Sequence, residues 1–217
     1  MSPCIIAIAG PSGSGKSLFA QTLLERVRTL RPGVEPVLLR EDAYYRDQGH
    51  LTLEDRAAVN YDHPDALEQE LLLTQLEALR AGESVAVPRY DYTVHTREAA
   101  ADAVHPAPVI VVEGILLLSH PALRAIFDMR FFMDTPLDIC LLRRMERDQR
   151  ERGRSVESIV EQYQRTVRPM YHQFIAPSAE FADMRITGGG RNRVALELVE
   201  GAVLRVLDDA MEESQGS

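Results

Sequence analysis

The stretch that most constrains this chain is Gly10-Pro-Ser-Gly-Ser-Gly-Lys16-Ser17. It follows a short apolar run, Ile5 to Ala9, and precedes Phe19, Leu23, Leu24, Val27 and Leu30 at helical spacing. A strand, a glycine-rich turn and a helix in that order fit G-x-x-x-x-G-K-[ST], the phosphate-binding P-loop. With no Cβ on its glycines, the backbone from Gly10 through Ser12, Gly13, Ser14 and Gly15 can turn its N–H groups inward onto phosphate oxygens. The helix that opens near Gly15 aims its positive end at the same oxygens. Lys16 can reach the β- and γ-phosphates, and Ser17 can ligand Mg²⁺. Lys16 is also the only lysine in the chain; the other strong bases are all arginines. A drift toward arginine would replace lysine wherever either serves. The survivor sits where a compact ammonium on a flexible stem is needed.

The length, 217 residues, suits one α/β domain over 1–217, a parallel sheet flanked by helices, with a small excursion. A net charge of −9 argues against wholesale binding to nucleic acid or to an acidic membrane. Cys4, in the first strand, and Cys140, on a predicted helix, read as small buried hydrophobes in a reducing compartment. The histidines show no zinc-ligand spacing. The N-terminus has no basic segment, and its apolar run is too short for a signal or a membrane span. A cytoplasmic protein is expected.

Arg31-Pro-Gly33 ends the first helix, and Val34 to Leu39 reads as a second strand. Asp42 lies just past that strand, at the sheet end where ligands bind in open parallel sheets. It is a candidate to face the γ-phosphate, or else a helix cap or turn aspartate. Asn60 to Asp65 is a turn into a helix that buries Leu67, Leu71, Leu72, Leu76 and Leu79; Asp62 or Asp65 can cap it. A β-branched and aromatic stretch predicts a hairpin over about 84–98, which Pro88 sets at an edge or outside the main sheet. It gathers Tyr90, Tyr92, His95 and Arg97, either to hold a heterocycle or as cross-strand pairs on a surface hairpin.

The unbroken apolar run from Pro108 to Leu118 is a buried parallel strand carrying Glu113-Gly114. P-loop proteins hold the magnesium shell with a carboxylate at this place, usually aspartate; glutamate has the longer reach. Phe131 to Asp134 is the next strand, and Thr135-Pro136 opens a helix. That helix runs into Arg143 to Arg154, where six arginines alternate with three acids. The run is either a salt-bridged, solvated face or an arginine lid, about 143–156, closing over phosphates. Ser155 to Phe174 is a further helix kinked at Pro169, Phe181 to Thr187 a last strand, Gly188 to Gly190 a turn, and Met211 onward a polar tail after the final helix.

Taken together, several blocks resemble the uridine kinases (uridine/cytidine kinases): Gly10 to Ser17, Glu41-Asp-Ala-Tyr-Tyr-Arg46, Tyr61-Asp-His-Pro-Asp-Ala66, Pro88-Arg-Tyr-Asp-Tyr92, His95-Thr-Arg97, Val112-Glu-Gly-Ile115, Arg147-Asp148 and Glu151-Arg-Gly-Arg154. The resemblance runs from the first strand to Gly190-Arg-Asn-Arg193. It implies transfer of the γ-phosphate of ATP or GTP, with Mg²⁺, to the 5′-hydroxyl of uridine or cytidine. By resemblance Asp42 is the base, and Asp62 and Arg144 hold the ribose hydroxyls with Tyr45 and Tyr61 nearby. Tyr90, His95, Arg154 and Gln162 frame the pyrimidine, and Arg147 and Arg152 serve the lid. Glu113 matches the family's own glutamate and joins Ser17 at the metal. Arg89 and Ala43 depart from the usual aliphatic residue and serine, and Arg89 bears on the pocket rim. A homotetramer and feedback inhibition by pyrimidine triphosphates are further implications. The rival small-molecule kinase readings are phosphoribulokinase- or pantothenate kinase-like. A GTPase switch is excluded, because its Asn-Lys-x-Asp motif needs a second lysine.

Overall fold

The structure is a computed structural model and describes residues 3–215. Five strands, β1 (Cys4–Ala9), β2 (Val37–Arg40), β5 (Val109–Gly114), β6 (Met129–Met133) and β7 (Met184–Ile186), form one sheet in the order β2-β5-β1-β6-β7. Every pairing in it is parallel. Parallel strands need crossovers, and the chain supplies them as helices on both faces. Side chains alternate along each strand, so β1 divides between two cores. Ile5, Ala7 and Ala9 meet Leu72, Leu76 and Leu79 of α3 (Gln69–Arg80) on one face. Ile6 and Ile8 meet Phe19, Leu23 and Val27 of α1 (Lys16–Leu30) and Val199, Val203 and Leu207 of α9 (Arg193–Gln215) on the other. Burying a side chain of this kind contributes about 1.5–3 kcal/mol, so these two layers carry most of the fold's stability.

Several boundaries differ from expectation, for physical reasons. β2 starts at Val37, because Val34 is drawn into a turn in which its N–H donates to Arg31 at 3.0 Å. The leucine run after Gly114 leaves the sheet but stays in the core, with Leu116, Leu117 and Leu118 fully buried. The excursion is a separate two-stranded hairpin, β3 (Val85–Asp91) and β4 (Thr96–Val104), and reaches six residues beyond the predicted 98. Its second strand is hard to see in the sequence because Glu98-Ala-Ala-Ala-Asp102 is exposed and poor in strand-forming residues. A short helix, α2 (Leu53–Ala58), is an addition to the expected elements. Its signal is a capping pattern: the Asp55 N–H donates to Thr52 Oγ1 at 3.2 Å, and the Thr52 hydroxyl donates to the Asp55 carboxylate at 2.7 Å. Another short helix, α4 (Pro121–Ile126), precedes β6.

α5 (Leu137–Arg152) is continuous and stops at Gly153, which takes a left-handed φ of 61°. Ser155 caps α6 (Val156–Gln162) through the Ser158 N–H. Helical backbone then continues to Ser178 through α7 (Arg168–Met170) and α8 (Ala176–Ser178), separated by wide π-turns at Tyr163–Val167 and Tyr171–Ile175. The wide turns sit beside Pro169 and Pro177, which lack the N–H that an α-helical ladder needs. The stretch from Met211 prolongs α9 to Gln215 rather than leaving it as a tail, and residues 216–217 lie outside the described residues. Cys4 and Cys140 are buried and unbridged. Among the described residues no helix is long and apolar enough to cross a membrane.

Candidate active site

The strand register brings the catalytic candidates to one edge. Ala9 pairs with Gly114 and Arg40 with Glu113, so the P-loop, Glu113 and the turn holding Asp42 all leave the sheet at its carboxyl end. There they border a cleft of about 960 Å³.

The donor end is made of backbone. Gly13 and Gly15 have φ of 85° and 99°, which residues with a Cβ rarely adopt. A Cβ on Gly13 would lie 2.4 Å from the Cys140 carbonyl oxygen, and one on Gly15 would lie 2.5 Å from the Gly190 nitrogen. The triple glycine, read from sequence as a turn, is thus pressed against the P-loop. Lys16 opens α1 and is buried, with its ammonium donating to the Pro11 carbonyl at 3.1 Å. Burial pushes that ammonium down, while Glu113, Asp42 and Glu41 act in the opposite sense. The Ser17 hydroxyl donates to Glu113 Oε1 at 2.7 Å. Ser12 borders the cleft, whereas Gly10 and Ser14 support the loop from behind; the Thr135 hydroxyl donates to the Ser14 carbonyl at 3.0 Å.

Asp42 rides on a 3₁₀ turn, Glu41–Tyr44, directly after β2. It caps nothing: the residue before the turn is Arg40, and Asp42 Oδ1 is buried with no partner among the described residues. Asp62 is not a cap either. The capping acceptor there is His63, whose Nδ1 receives the Asp65 N–H, and Asp62 turns into the cleft 6% exposed. Burial pushes the Asp62 carboxyl up, opposed by Arg144 and Lys16.

Four rings follow. Tyr45 meets Tyr61 and Tyr90 at centroid distances of 5.0 and 5.2 Å, and Tyr61 stacks on His95 at 5.3 Å. The hydroxyls of Tyr61 and Tyr90 are buried and act on each other, and neither makes a well-formed hydrogen bond among the described residues. Burial, reinforced by Asp42, pushes the phenols of Tyr45 and Tyr92 up, so they stay neutral. His95 holds a left-handed φ of 52° at the hairpin tip, and burial followed by Arg152 and Arg154 pushes its imidazolium down. Arg97, grouped with these rings in the sequence, instead donates to Glu68 at 2.9 Å and does not border the cleft.

The arginine run divides between both of its readings. Arg150 faces solvent and pairs with Glu146 at 3.7 Å, a salt-bridged face. Arg144, Arg147, Arg152 and Arg154 border the cleft. Arg144 and Arg154 both donate to Gln162 Oε1, at 2.8 and 2.6 Å. Arg152 lies over the Tyr92 ring at 5.9 Å, so α5 reaches the hairpin across the opening.

Two further carboxylates belong to the site; both fall within blocks that resemble the uridine kinases, but neither has a role assigned from the sequence. Asp148 is fully buried among the arginines. Glu41 is 2% exposed; its Oε2 accepts the Leu116 N–H at 2.8 Å and fills the space where a Cβ on Gly114 would stand. Burial pushes its carboxyl up to about 7. The available signal is an acid beside Asp42 at a strand end, but charged residues there usually face water.

A five-stranded parallel sheet, a P-loop after β1 and a carboxylate at the end of β5 define a P-loop kinase, with a nucleotide as phosphate donor. The chain belongs to the phosphoribulokinase / uridine kinase family, whose profile matches residues 5–195. It is 51% identical over 203 residues to a protein named uridine kinase from Shewanella baltica, covering 94% of this chain and 96% of that one. A uridine kinase from Aliivibrio fischeri is equally similar, 51% over 94% of each chain. Solved structures share the fold. A putative fructose transport system kinase from Silicibacter superposes with a TM-score of 0.69 at 24% identity, over 85% of this chain and 90% of that one. Phosphoribulokinase from Rhodobacter spheroides gives 0.65 at 15% identity, over 86% and 70%.

Proposed function

We propose that the protein transfers the γ-phosphoryl group of ATP or GTP to the 5′-hydroxyl of uridine or cytidine, giving UMP or CMP. The observation that carries this reading is the half-buried Asp42 carboxylate at the cleft, with Oδ1 enclosed and unpartnered among the described residues, the Tyr92 hydroxyl against it, and Lys16 and Tyr45 in electrostatic reach. Relatives named uridine kinase at 51% identity support the choice of acceptor.

In this reading the P-loop amides and Lys16 hold the donor phosphates. Asp62 and Arg144 hold the ribose hydroxyls, and Tyr45 and Tyr61 flank the sugar. Tyr90, His95, Arg154 and Gln162 frame the base. Asp42 takes the proton of the 5′-hydroxyl as that oxygen bonds to the γ-phosphorus and the bridge to the β-phosphate breaks; a base of this kind typically contributes about 10²–10⁴ in rate. Arg147 and Arg152 spread charge away from the transferring group. Ser17 and Glu113, already hydrogen-bonded to each other, offer the hard oxygen ligands that suit Mg²⁺, which is usually completed by substrate phosphates and water. When bound it supplies charge neutralisation at the phosphates. His95, kept neutral by its surroundings, presents one donor and one acceptor by choice of tautomer. It can therefore serve either the C4 carbonyl of uracil or the C4 amine of cytosine. Work in the cytoplasm, as a homotetramer, completes the proposal; light scattering of the purified protein tests the assembly.

The decisive experiment measures ADP release from ATP·Mg²⁺ with uridine, cytidine, adenosine, ribulose 5-phosphate and pantothenate, on the native protein and on Asp42→Asn. Release with uridine or cytidine, lost by about 10²–10⁴ in the variant, is expected. Release with ribulose 5-phosphate or pantothenate instead overturns the acceptor assignment.

A further inference from the structure

Asp148 lies one turn before the end of α5 and is 0% exposed. Helix propensity and the helix dipole do not favour it there, although Arg144 and Arg152 stand one turn to either side on the same helix. Aspartate is a poor helix former, and a negative charge opposes the negative end of the helix dipole. Its surroundings account for it. Oδ1 accepts from Arg147 Nε and Nη2 at 3.0 and 2.8 Å and lies 3.6 Å from Arg152 Nη1. Oδ2 lies 3.6 Å from Arg144 Nε and 3.5 Å from Arg154 Nη1. The backbone carbonyl of Asp148 accepts the N–H groups of Gly153 and, at 3.1 Å, of Arg154. A single carboxylate thus meets every one of the four arginines that carry roles in the proposed function.

The division between its two oxygens follows the division of the cleft. Arg144 and Arg154, on Oδ2, also share Gln162 and face the acceptor. Arg147 and Arg152, on Oδ1, are the pair assigned to phosphate. One carboxylate cannot hydrogen-bond four guanidinium groups well, and Arg144 Nε is buried without a hydrogen-bond partner among the described residues. The cluster has more guanidinium donors than Asp148 can satisfy, and those that border the cleft remain open to an anionic or polar ligand.

We propose that Asp148 is a positioning residue that ties the acceptor-side arginines to the phosphate-side arginines, so that filling one end of the cleft orders the other. This deepens the nucleoside kinase reading and rests on it. The consequence is a coupling between ligands: acceptor binding fixes Arg144 and Arg154, and through the shared carboxylate it fixes Arg147 and Arg152 for the donor.

The test titrates a non-hydrolysable ATP analogue into the native protein and into Asp148→Asn, with and without uridine. In the native protein uridine tightens the analogue by about fivefold or more, within the usual range of coupling between sites. In Asp148→Asn that ratio falls to about one, and kcat falls about 10²-fold through misplaced arginines. Asp148→Glu restores part of the ratio, which a purely structural role would not do. A ratio of one in the native protein overturns the proposal, as does an unchanged ratio and kcat in folded Asp148→Asn. If that variant does not fold, the cycle formed by Arg147→Gln, Arg154→Gln and the double variant answers instead. These two arginines contact opposite oxygens, and non-additive losses in kcat/KM support the proposal while additive losses overturn it. Failure of the native protein to phosphorylate uridine is a separate result, and it defeats the nucleoside kinase reading.

Discussion

The two ends of the cleft are built by different means. The donor end is a contiguous run of backbone held by contacts that leave no room for a methyl group: Gly13 against Cys140, and Gly15 against Gly190. The acceptor end is an assembly of side chains from the Asp42 turn, the hairpin, α5 and α6, held by ring contacts and ion pairs. A site that must accept any nucleotide phosphate can be made from peptide groups, which every residue carries. A site that must recognise one nucleoside needs particular side chains, and these come from wherever the fold brings them.

The sharpest way to break this contrast is to add one methyl group at each end. At Gly13, with φ of 85°, Gly13→Ala meets a carbonyl at 2.4 Å. Left-handed strain of roughly 1–2 kcal/mol and overpacking of roughly 1–3 kcal/mol together cost about 2–5 kcal/mol. At Gly153, also left-handed with φ of 61°, a Cβ meets nothing within 4 Å. Gly153→Ala loses only the strain, about 1–2 kcal/mol. Urea unfolding of the two variants measures the difference, and equal losses would remove the distinction between a packed donor end and an open acceptor end.

Glu41 sharpens the comparison, since it opens the turn that carries Asp42 and yet is packed as tightly as the donor end. Its carboxyl is raised from 4.5 to about 7 by burial. Between those values the folded protein holds a proton that the unfolded chain has released. Stability from this group is therefore full below pH about 4.5, declines as pH rises toward about 7, and is level above. Each tenfold difference in proton affinity between the folded and unfolded chain is worth about 1.4 kcal/mol, so the whole change is about 3 kcal/mol. Glu41→Gln keeps the shape and should flatten that part of the stability profile between pH 5 and 7.5. An unaltered slope would place the titration elsewhere.

The same contrast governs what can be read from sequence. Gly10 to Ser17 is legible because motif, strand and helix are adjacent in the chain. Asp42 and Glu113 follow from their place at strand ends. The acceptor end is legible only in part: the hairpin reading gathers Tyr90, Tyr92 and His95, but neither periodicity nor spacing adds Tyr61 and Gln162, which depend on resemblance. Arg97 goes astray for a related reason: it pairs with Tyr90 across the hairpin, but Glu68 draws its guanidinium away from the cleft. β4 is obscured by its alanines, and Asp148 by a charge run whose other acids face water. Burial is a property of the folded chain, and no local pattern distinguishes that aspartate from Glu146 or Glu151.

At the acceptor end a single truncation should be milder. His95→Ala removes one hydrogen-bonding ring and a stacking partner of Tyr61, a loss of about tenfold in kcat/KM, equal for uridine and cytidine. Because burial and the arginines Arg152 and Arg154 hold the imidazolium down, the native kcat/KM should not fall as pH drops from 8 to 6.5 on account of this residue. It should fall only below the ordinary histidine range. A loss confined to one nucleoside would contradict a tautomer serving both bases.

The smallest effect is expected at Arg89, the residue that departs from the resembled family. The side chain lies on the outer face of the hairpin, 3.8 Å from Glu98 and 3.4 Å from Asp102, and about half exposed. It does not border the cleft, so the sequence expectation that it shapes the pocket rim is corrected. Exposed pairs of this kind contribute about 0–1 kcal/mol, and less in salt. Arg89→Leu should shift stability by under about 1 kcal/mol and leave KM for either nucleoside unchanged. A changed KM would mean that the hairpin transmits its outer-face charges to Tyr90, and the acceptor end would then extend through the hairpin to solvent.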